Sequence, residues 1–414
     1  MPKGNTYQPP TGGRDLLPLD VVQKRWIEDR LEEVFQRWGY HRIITPTVET
    51  MDTLMAGGAI ERVEVIELQI GQVGEQRLGL RPELTASIAR AAVTRLASVT
   101  YPQRLYYNAN IFRRSAKGSQ GGQQEYHQAG IELLGSSGLM ADAEAVLLMA
   151  DCLSAVSLSE ASIVLGEAAL TYSLLAPFPK EIRGTVRQYF AELNRVALEE
   201  LSLSSELQAL ALKLMDLRGQ PADVLRTLTH DFQLNERQQA LVGRLKDLIE
   251  LLKTRNTLPK ITLDLSLIRP FDYYTGIVFE VVSHQHKQLL GQGGRYDDLL
   301  AVYDTANDSE SKGFPGIGFV LNVDQLHQEL KAGAQLPSEP PPSDWLIVPK
   351  GAAAAAAALD YAQKARASAN IVRVELSLDF KQSADEVRAI ARKRHINQIA
   401  WISDQGLPDI EIVN

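Results

Sequence analysis

The chain has 414 residues and is 45% hydrophobic, long and apolar enough for two or three cored domains rather than one. Its 43 lysines and arginines are outnumbered by 51 aspartates and glutamates, for a formal charge of −8, so no global positive field draws in RNA. The single cysteine, Cys152, excludes an intramolecular disulfide, residues 1–15 lack the apolar core of a secretory signal, and no apolar run reaches the roughly 18 residues of a membrane span. A cytoplasmic protein without membrane contact is expected.

Residues 9–18, rich in proline and glycine, form an irregular lead-in. Asp20 is placed to cap a helix whose Ile27, Leu31, Val34, Phe35 and Trp38 share one face, and Gly39 ends it. Residues 40–49 read as a strand interrupted by Pro46, which an edge tolerates and a central ladder does not. Residues 80–86, Leu-Arg-Pro-Glu-Leu-Thr-Ala, lead into a helix expected to run through Val99. There Glu83 and Thr85 set an anion beside a hydroxyl, a pair suited to a ligand's ammonium group and equally suited to a helix's first turn. Residues 106–135 read as a hairpin, with Arg113 on its first arm and Gln128 and Glu132 on its second. On local pattern alone those last two fit a solvated strand face.

Helical periodicity returns from 141 to about 158, and a helix-rich region without chemistry of its own runs from about 163 to 256. Residues 267–280, Leu-Ile-Arg-Pro-Phe-Asp-Tyr-Tyr-Thr-Gly-Ile-Val-Phe-Glu, form a polar loop carrying Arg269, Tyr273 and Tyr274 into a β-rich run. The loop reads as a pocket wall or as a sheet loop whose tyrosines are core. His284 and His286 alternate on one strand face with no third ligand in view, so no metal site is expected. Gly291, Gly293 and Gly294 match neither a P-loop nor a dinucleotide fingerprint, but small residues let backbone approach a ligand. A glycine-bearing strand then enters a helix across residues 313–326. Proline stiffens a linker at 331–343, and 344–414 alternates strand and helix as a small α/β domain whose alanine run is a strong helix former.

In this order these stretches resemble the histidyl-tRNA synthetases, class II enzymes, over almost the whole chain. The resemblance implies an α+β fold: a class II synthetase-like core of antiparallel sheet and helices over 1–330, with a helical insertion at about 163–256. A truncated anticodon-binding-like domain would follow over 344–414. The helix, strand and proline of residues 20–49 are similar to motif 1, the homodimer element, residues 106–135 to motif 2, and residues 313–326 to motif 3. A histidine-binding site is implied at Glu83, Thr85, Arg113, Gln128, Glu132, Arg269, Tyr273 and Tyr274. Glu83 and Thr85 would take the α-amino group, Glu132 the imidazole and Arg269 the carboxylate, with the tyrosines closing over the ring.

The departures from the family fall elsewhere. Ser115 stands where a glutamate orders adenine, and Gln325 where an arginine pairs the γ-phosphate of ATP, a bidentate charged contact that a neutral amide does not make. Leu84 and Pro270-Phe271 replace glycine and Gly-Leu, and the loop 117–124 contains no arginine. A kept amino-acid pocket beside a depleted ATP site resembles the synthetase-like regulatory subunits of ATP phosphoribosyltransferase, the first enzyme of histidine biosynthesis. That resemblance implies a short catalytic chain as partner, a self-associated dimer, histidine as ligand, no tRNA, no cofactor and no catalytic residues. A divergent active histidyl-tRNA synthetase is the alternative.

Overall fold

The computed structural model describes residues 8–413 apart from 59, 70–75, 115–121, 159, 256–257, 268–272, 305–313 and 334. Arg269 and Ser115 therefore lie outside the described residues. The chain divides into two units, Met1–Pro337 and Ser338–Asn414.

The first unit opens with α1 (Pro18–Arg37). This helix begins two residues before the cap expected at Asp20, because Pro18 sits at the first position, where its fixed φ suits the helix and its missing N–H is not needed. Asp20 instead reaches back to accept from the Leu17 amide at 3.4 Å. Pro46 splits the next expected strand into β1 (His41–Arg42) and β2 (Val48–Thr50), which enter different sheets. After α2 (Met51–Met55) come β3 (Ile66–Leu68) and β4 (Leu78–Leu80), completing an antiparallel sheet of order β2-β4-β3. The helix expected through Val99 is α3 (Thr85–Thr94), which stops short of it with Arg95 at the C-cap.

The expected hairpin is present as β5 (Gln103–Phe112) and β6 (Glu125–Leu134), followed by α4 (Leu139–Ala155). Residues 163–167, read from sequence as the start of the helical region, lie instead in β7 (Ala161–Glu167), whose Ile-Val-Leu run is fully bonded on both edges. Helices then dominate: α5 (Ala168–Leu174), α6 (Lys180–Ala191), α7 (Arg195–Glu199) and α8 (Ser205–Met215), the short β8 (Arg218–Gly219), α9 (Pro221–Asp231) and α10 (Glu236–Lys253). The unit ends with β9 (Lys260–Asp264), β10 (Ile277–Ser283), β11 (Leu289–Arg295), α11 (Leu299–Tyr303), β12 (Gly316–Asn322) and α12 (Val323–Ala332). His284 and His286 do not alternate on a strand, because β10 ends at Ser283 and both lie in the turn beyond it. Their rings take separate partners, Ser162 Oγ at 2.5 Å and Glu329 Oε2 at 2.7 Å.

Nine strands form the central sheet in the order β1-β5-β6-β12-β11-β10-β7-β9-β8. Only the β1–β5 and β7–β9 pairs are parallel. Because strand side chains alternate, the sheet presents two unlike faces. One face, through Tyr106, Ala129, Ile131, Leu133, Phe279 and Leu321, joins a large core with α1, α4 and α12. The other carries Leu105, Tyr107 and Val278 against α3, and between these apolar residues it also sets polar ones, which form the site described below.

The second unit is a four-stranded sheet of order β14-β13-β15-β16, from β13 (Trp345–Pro349), α13 (Ala355–Arg366), β14 (Val374–Leu376), α14 (Ala384–Lys393), β15 (Gln398–Ile402) and β16 (Pro408–Ile412). Leu346, Val348 and Ile399 pack on Val387 and Ala391 of α14, while Ile347, Ala400 and Ile402 pack on Ala358 and Ala362 of α13. The alanine run is the interface through which α13 approaches its sheet closely.

Candidate ligand pocket

Four adjacent strands and one helix build the pocket. On β6, Gln128 and Glu132 are four residues apart and so share a face, with Gly130 between them. Glu132 lies in register with Leu105 of β5 and Gly318 of β12, and Gly130 with Tyr107. A Cβ at Gly318 would run into the Glu132 carboxylate, and one at Gly130 would come within 2.6 Å of the Tyr107 hydroxyl, so each glycine makes room for a polar neighbour. Gly294 of β11 does the same for Tyr274, whose ring a Cβ there would meet at 2.7 Å. The tyrosines are thus seated on a floor of glycine backbone.

The structure brings together seven of the eight residues expected from sequence. Glu83, Thr85, Arg113, Gln128, Glu132, Tyr273 and Tyr274 all line one pocket. Gln128 is 8% exposed and Glu132 2%, which overturns the local reading of a solvated strand face; Thr85 and Tyr296 bond to Glu132 over it. Of the two readings of Glu83, the helix cap is observed directly. Its carboxylate accepts from the amides of Thr85 and Ala86, at 2.5 Å and 2.8 Å, so it caps α3 and faces the pocket at once. Arg113 is fixed by an Nε–H bond to the Pro82 carbonyl at 2.9 Å.

Three further lining residues, Tyr107, Gln292 and Tyr296, had no role assigned from sequence. Tyr107 and Gln292 were legible only through register, since each sits on the pocket face of its strand opposite a glycine or a polar partner. Tyr296 belongs to the Gly-Gly-Arg-Tyr-Asp stretch and donates its hydroxyl hydrogen to Glu132 Oε2. Thr85 Oγ1 donates to the other oxygen, Oε1, at 2.8 Å. Tyr273 stands edge-on to Tyr296, with ring centroids 5.9 Å apart, and tilts against Tyr274 at 4.6 Å.

Burial pushes the Glu132 carboxyl up to about 8, against the opposing effect of its two hydrogen bonds and reinforced by the charge of Glu83. Burial also raises Glu83, and it holds the phenols of Tyr107, Tyr273 and Tyr296 far above their ordinary range, so these remain neutral donors. Two carboxyls, two amides, neutral phenols and one guanidinium suit a small polar molecule with both donors and acceptors. The described lining contains no serine, cysteine or histidine. A second cavity of about 240 Å³ adjoins the pocket, sharing Arg113, Gln128, Gln292 and Val320 with it and reaching Gln325. Arg113 is the one cation among that cavity's described lining residues.

The fold is of the histidyl-tRNA synthetase type, and the family model described as Histidyl-tRNA synthetase matches residues 12–326. The chain is 53% identical to the ATP phosphoribosyltransferase regulatory subunit of a Nostoc species over 99% of both chains, and 54% identical to that of a Cyanothece species over 98% of this chain and 99% of the other. A solved structure from Bacillus halodurans, described as an ATP phosphoribosyltransferase regulatory subunit/histidyl-tRNA synthetase, superposes with a TM-score of 0.80 at 27% identity, covering 96% of this chain and 98% of that one. The histidyl-tRNA synthetase of the same Nostoc strain superposes at 0.77 with 19% identity, over 98% of this chain and 97% of its own, and shows the shared fold alone. The chain belongs to the histidyl-tRNA synthetase-like family, within its branch of ATP phosphoribosyltransferase regulatory subunits.

Proposed function

We propose that this chain binds histidine in the pocket and acts as a non-catalytic subunit that a short-form ATP phosphoribosyltransferase chain needs for activity and through which histidine feeds back. The observation that carries this reading is the contrast between the two adjoining cavities. Seven residues suited to an amino acid converge in the first, while the second, on the side where the synthetases hold ATP, has Gln325 in place of a guanidinium. Glu83, Thr85 and Gln128 would receive the ammonium group, and Glu132 with Tyr296 an imidazole N–H. Arg269 is proposed for the carboxylate. The chain would work as a cytoplasmic homodimer joined to its catalytic partner in a hetero-oligomer, with no tRNA bound. Histidine then favours one conformation of the assembly, and by linkage the catalytic partner alters histidine affinity by the same factor.

Two measurements on the purified chain test this together: histidine binding by calorimetry, and histidine-dependent exchange of pyrophosphate into ATP with a known histidyl-tRNA synthetase as control. Saturable binding without exchange supports the reading. Clear exchange returns the chain to the active synthetases, and absence of binding removes histidine from the pocket.

A further inference from the structure

Gln292 is the one residue with a side chain in the stretch 291–294 of β11, and it lines both the tyrosine pocket and the second cavity. Register sets it at the end of a row across the sheet. Tyr107 of β5 pairs with Gly130 of β6, Gly130 with Val320 of β12, and Val320 with Gln292. Neighbouring strands lie about 4.8 Å apart, so Tyr107 and Gln292 stand roughly 14 Å from each other on one face, with only a glycine and a valine between them. The short pair leaves a gap that the longer side chains close from either end. The glycines beside Gln292 serve the opposite face, where a Cβ at Gly291 would meet Leu321 Cδ2 at 2.6 Å and one at Gly293 would meet Phe319 Cβ at 2.5 Å. The strand thus packs closely below while Gln292 rises above it.

Four residues, Arg113, Gln128, Gln292 and Val320, border both spaces. No carboxyl stands at that border. Glu83 and Glu132 line the tyrosine pocket alone, the described lining of the second cavity has no acidic residue, and Glu280, the register partner of Gln292 on β10, lines neither space. Arg113 is anchored through its Nε to the Pro82 carbonyl. The side-chain amides of Gln128 and Gln292 make no hydrogen bond among the described residues, although Gln128 is more than nine-tenths buried. A buried amide without a partner is costly, and the pocket is where these two amides find one. A guanidinium with two uncommitted amides beside it suits a single carboxylate, whose oxygens accept charge-assisted hydrogen bonds from each.

We infer that Gln292 makes the tyrosine pocket selective for a free carboxylate: its amide donates to the ligand's carboxylate beside Arg113, and its length closes the passage into the second cavity, so that nothing joined to that carboxylate is admitted. The inference rests on the histidine reading above and deepens it. With the ammonium group at Glu83 and the imidazole at Glu132, the carboxylate is the end of the ligand left for the border. Gln292 and Arg113 meet one of its oxygens, and the other is left to the proposed Arg269. The alcohol and the esters of the same amino acid carry the ring and the ammonium group but no carboxylate. A pocket closed by Gln292 tells them from the free acid, both by the lost charge and by the added bulk.

Calorimetric titration of the full chain with L-histidine, L-histidinol and L-histidine benzyl ester, in wild type, Gln292→Met and Gln292→Ala, tests this. Gln292→Met keeps the length and loses the amide, whereas Gln292→Ala loses both. Wild type is expected to prefer histidine to histidinol and to give no saturable binding of the ester. Both variants, shown to be folded by circular dichroism, are expected to lose about tenfold of the preference for histidine over histidinol, while only Gln292→Ala admits the ester. The ratio is the readout because a substitution that merely loosened the pocket would weaken both ligands alike. A preference within about twofold of wild type in both variants overturns the donated bond. Binding of the ester by wild type, or its exclusion by Gln292→Ala, overturns the closure. If wild type binds no histidine, the functional reading fails and the inference with it; histidine bound by wild type, with the preference unchanged in the variants, removes the inference and leaves that reading standing.

Discussion

Tyr296 donates its hydroxyl hydrogen to Glu132 across the pocket, and both side chains are almost fully buried. That bond, with the one from Thr85, holds a carboxyl whose charged form has lost its water. The consequence is a group that gains a proton readily and is fixed in direction.

The raised pKa has a definite sign in stability. The folded chain keeps a proton on Glu132 up to about 8, whereas the unfolded chain loses it near the ordinary 4.5. Folding is therefore favoured below the lower value and loses that contribution as pH rises through the upper one. Glu167, pushed up to about 7, acts in the same direction. Melting temperature is expected to fall between about pH 5 and about pH 8, and to fall less in Glu132→Gln, which has no proton to lose. Parallel melting curves for the two proteins would mean that Glu132 titrates normally.

Tyr296→Phe removes only the hydroxyl. A hydrogen bond to a neutral carboxyl contributes about 1 kcal/mol, so if Glu132 receives an imidazole N–H in the place where Tyr296 holds it, histidine affinity should fall by roughly fivefold. Calorimetry on the folded variant reads this directly, and an affinity within about twofold of wild type would place the ring elsewhere.

Gly318→Ala sets a methyl against the Glu132 carboxylate, 2.5 Å from the Ile131 carbonyl. Overpacking of this kind costs about 1 to 3 kcal/mol, and Glu132 must leave its place. Chemical denaturation should show a loss of that size, with histidine binding abolished at temperatures where the variant is still folded.

Gln325→Arg adds a second cation to the cavity that now has Arg113. A single charge-assisted contact should tighten ATP binding by about tenfold or more, measurable by calorimetry or by fluorescent-nucleotide displacement. An unchanged affinity would show that this cavity does not receive phosphate.

The sequence announced the parts that depend on local order. The β5–β6 hairpin, the start of α3 with its capping Glu83, and the amphipathic α1 follow from turn residues, caps and periodicity read within a short window. The misses depended on pairing between distant segments. Residues 163–167 became a strand because β10 and β9 flank them, and Glu132 became buried because Thr85 and Tyr296, distant in the chain, close over its face. Tyr107 and Gln292 joined the site only through the register of β5 on β6 and of β10 on β11, which no window along the chain displays. Asp20 was misplaced for a smaller reason, since Pro18 competes with it for the helix start.

The central claim is that the buried pocket senses histidine on behalf of another chain. It is tested most directly by combining a short-form ATP phosphoribosyltransferase catalytic chain with this protein, either wild type or Glu132→Ala, and measuring activity as histidine is added. The account predicts that both forms switch the catalytic chain on, and that histidine inhibits the wild-type assembly while leaving the Glu132→Ala assembly inhibited at least tenfold less. Equal inhibition of the two assemblies would contradict it, because histidine would then act from a site other than this pocket.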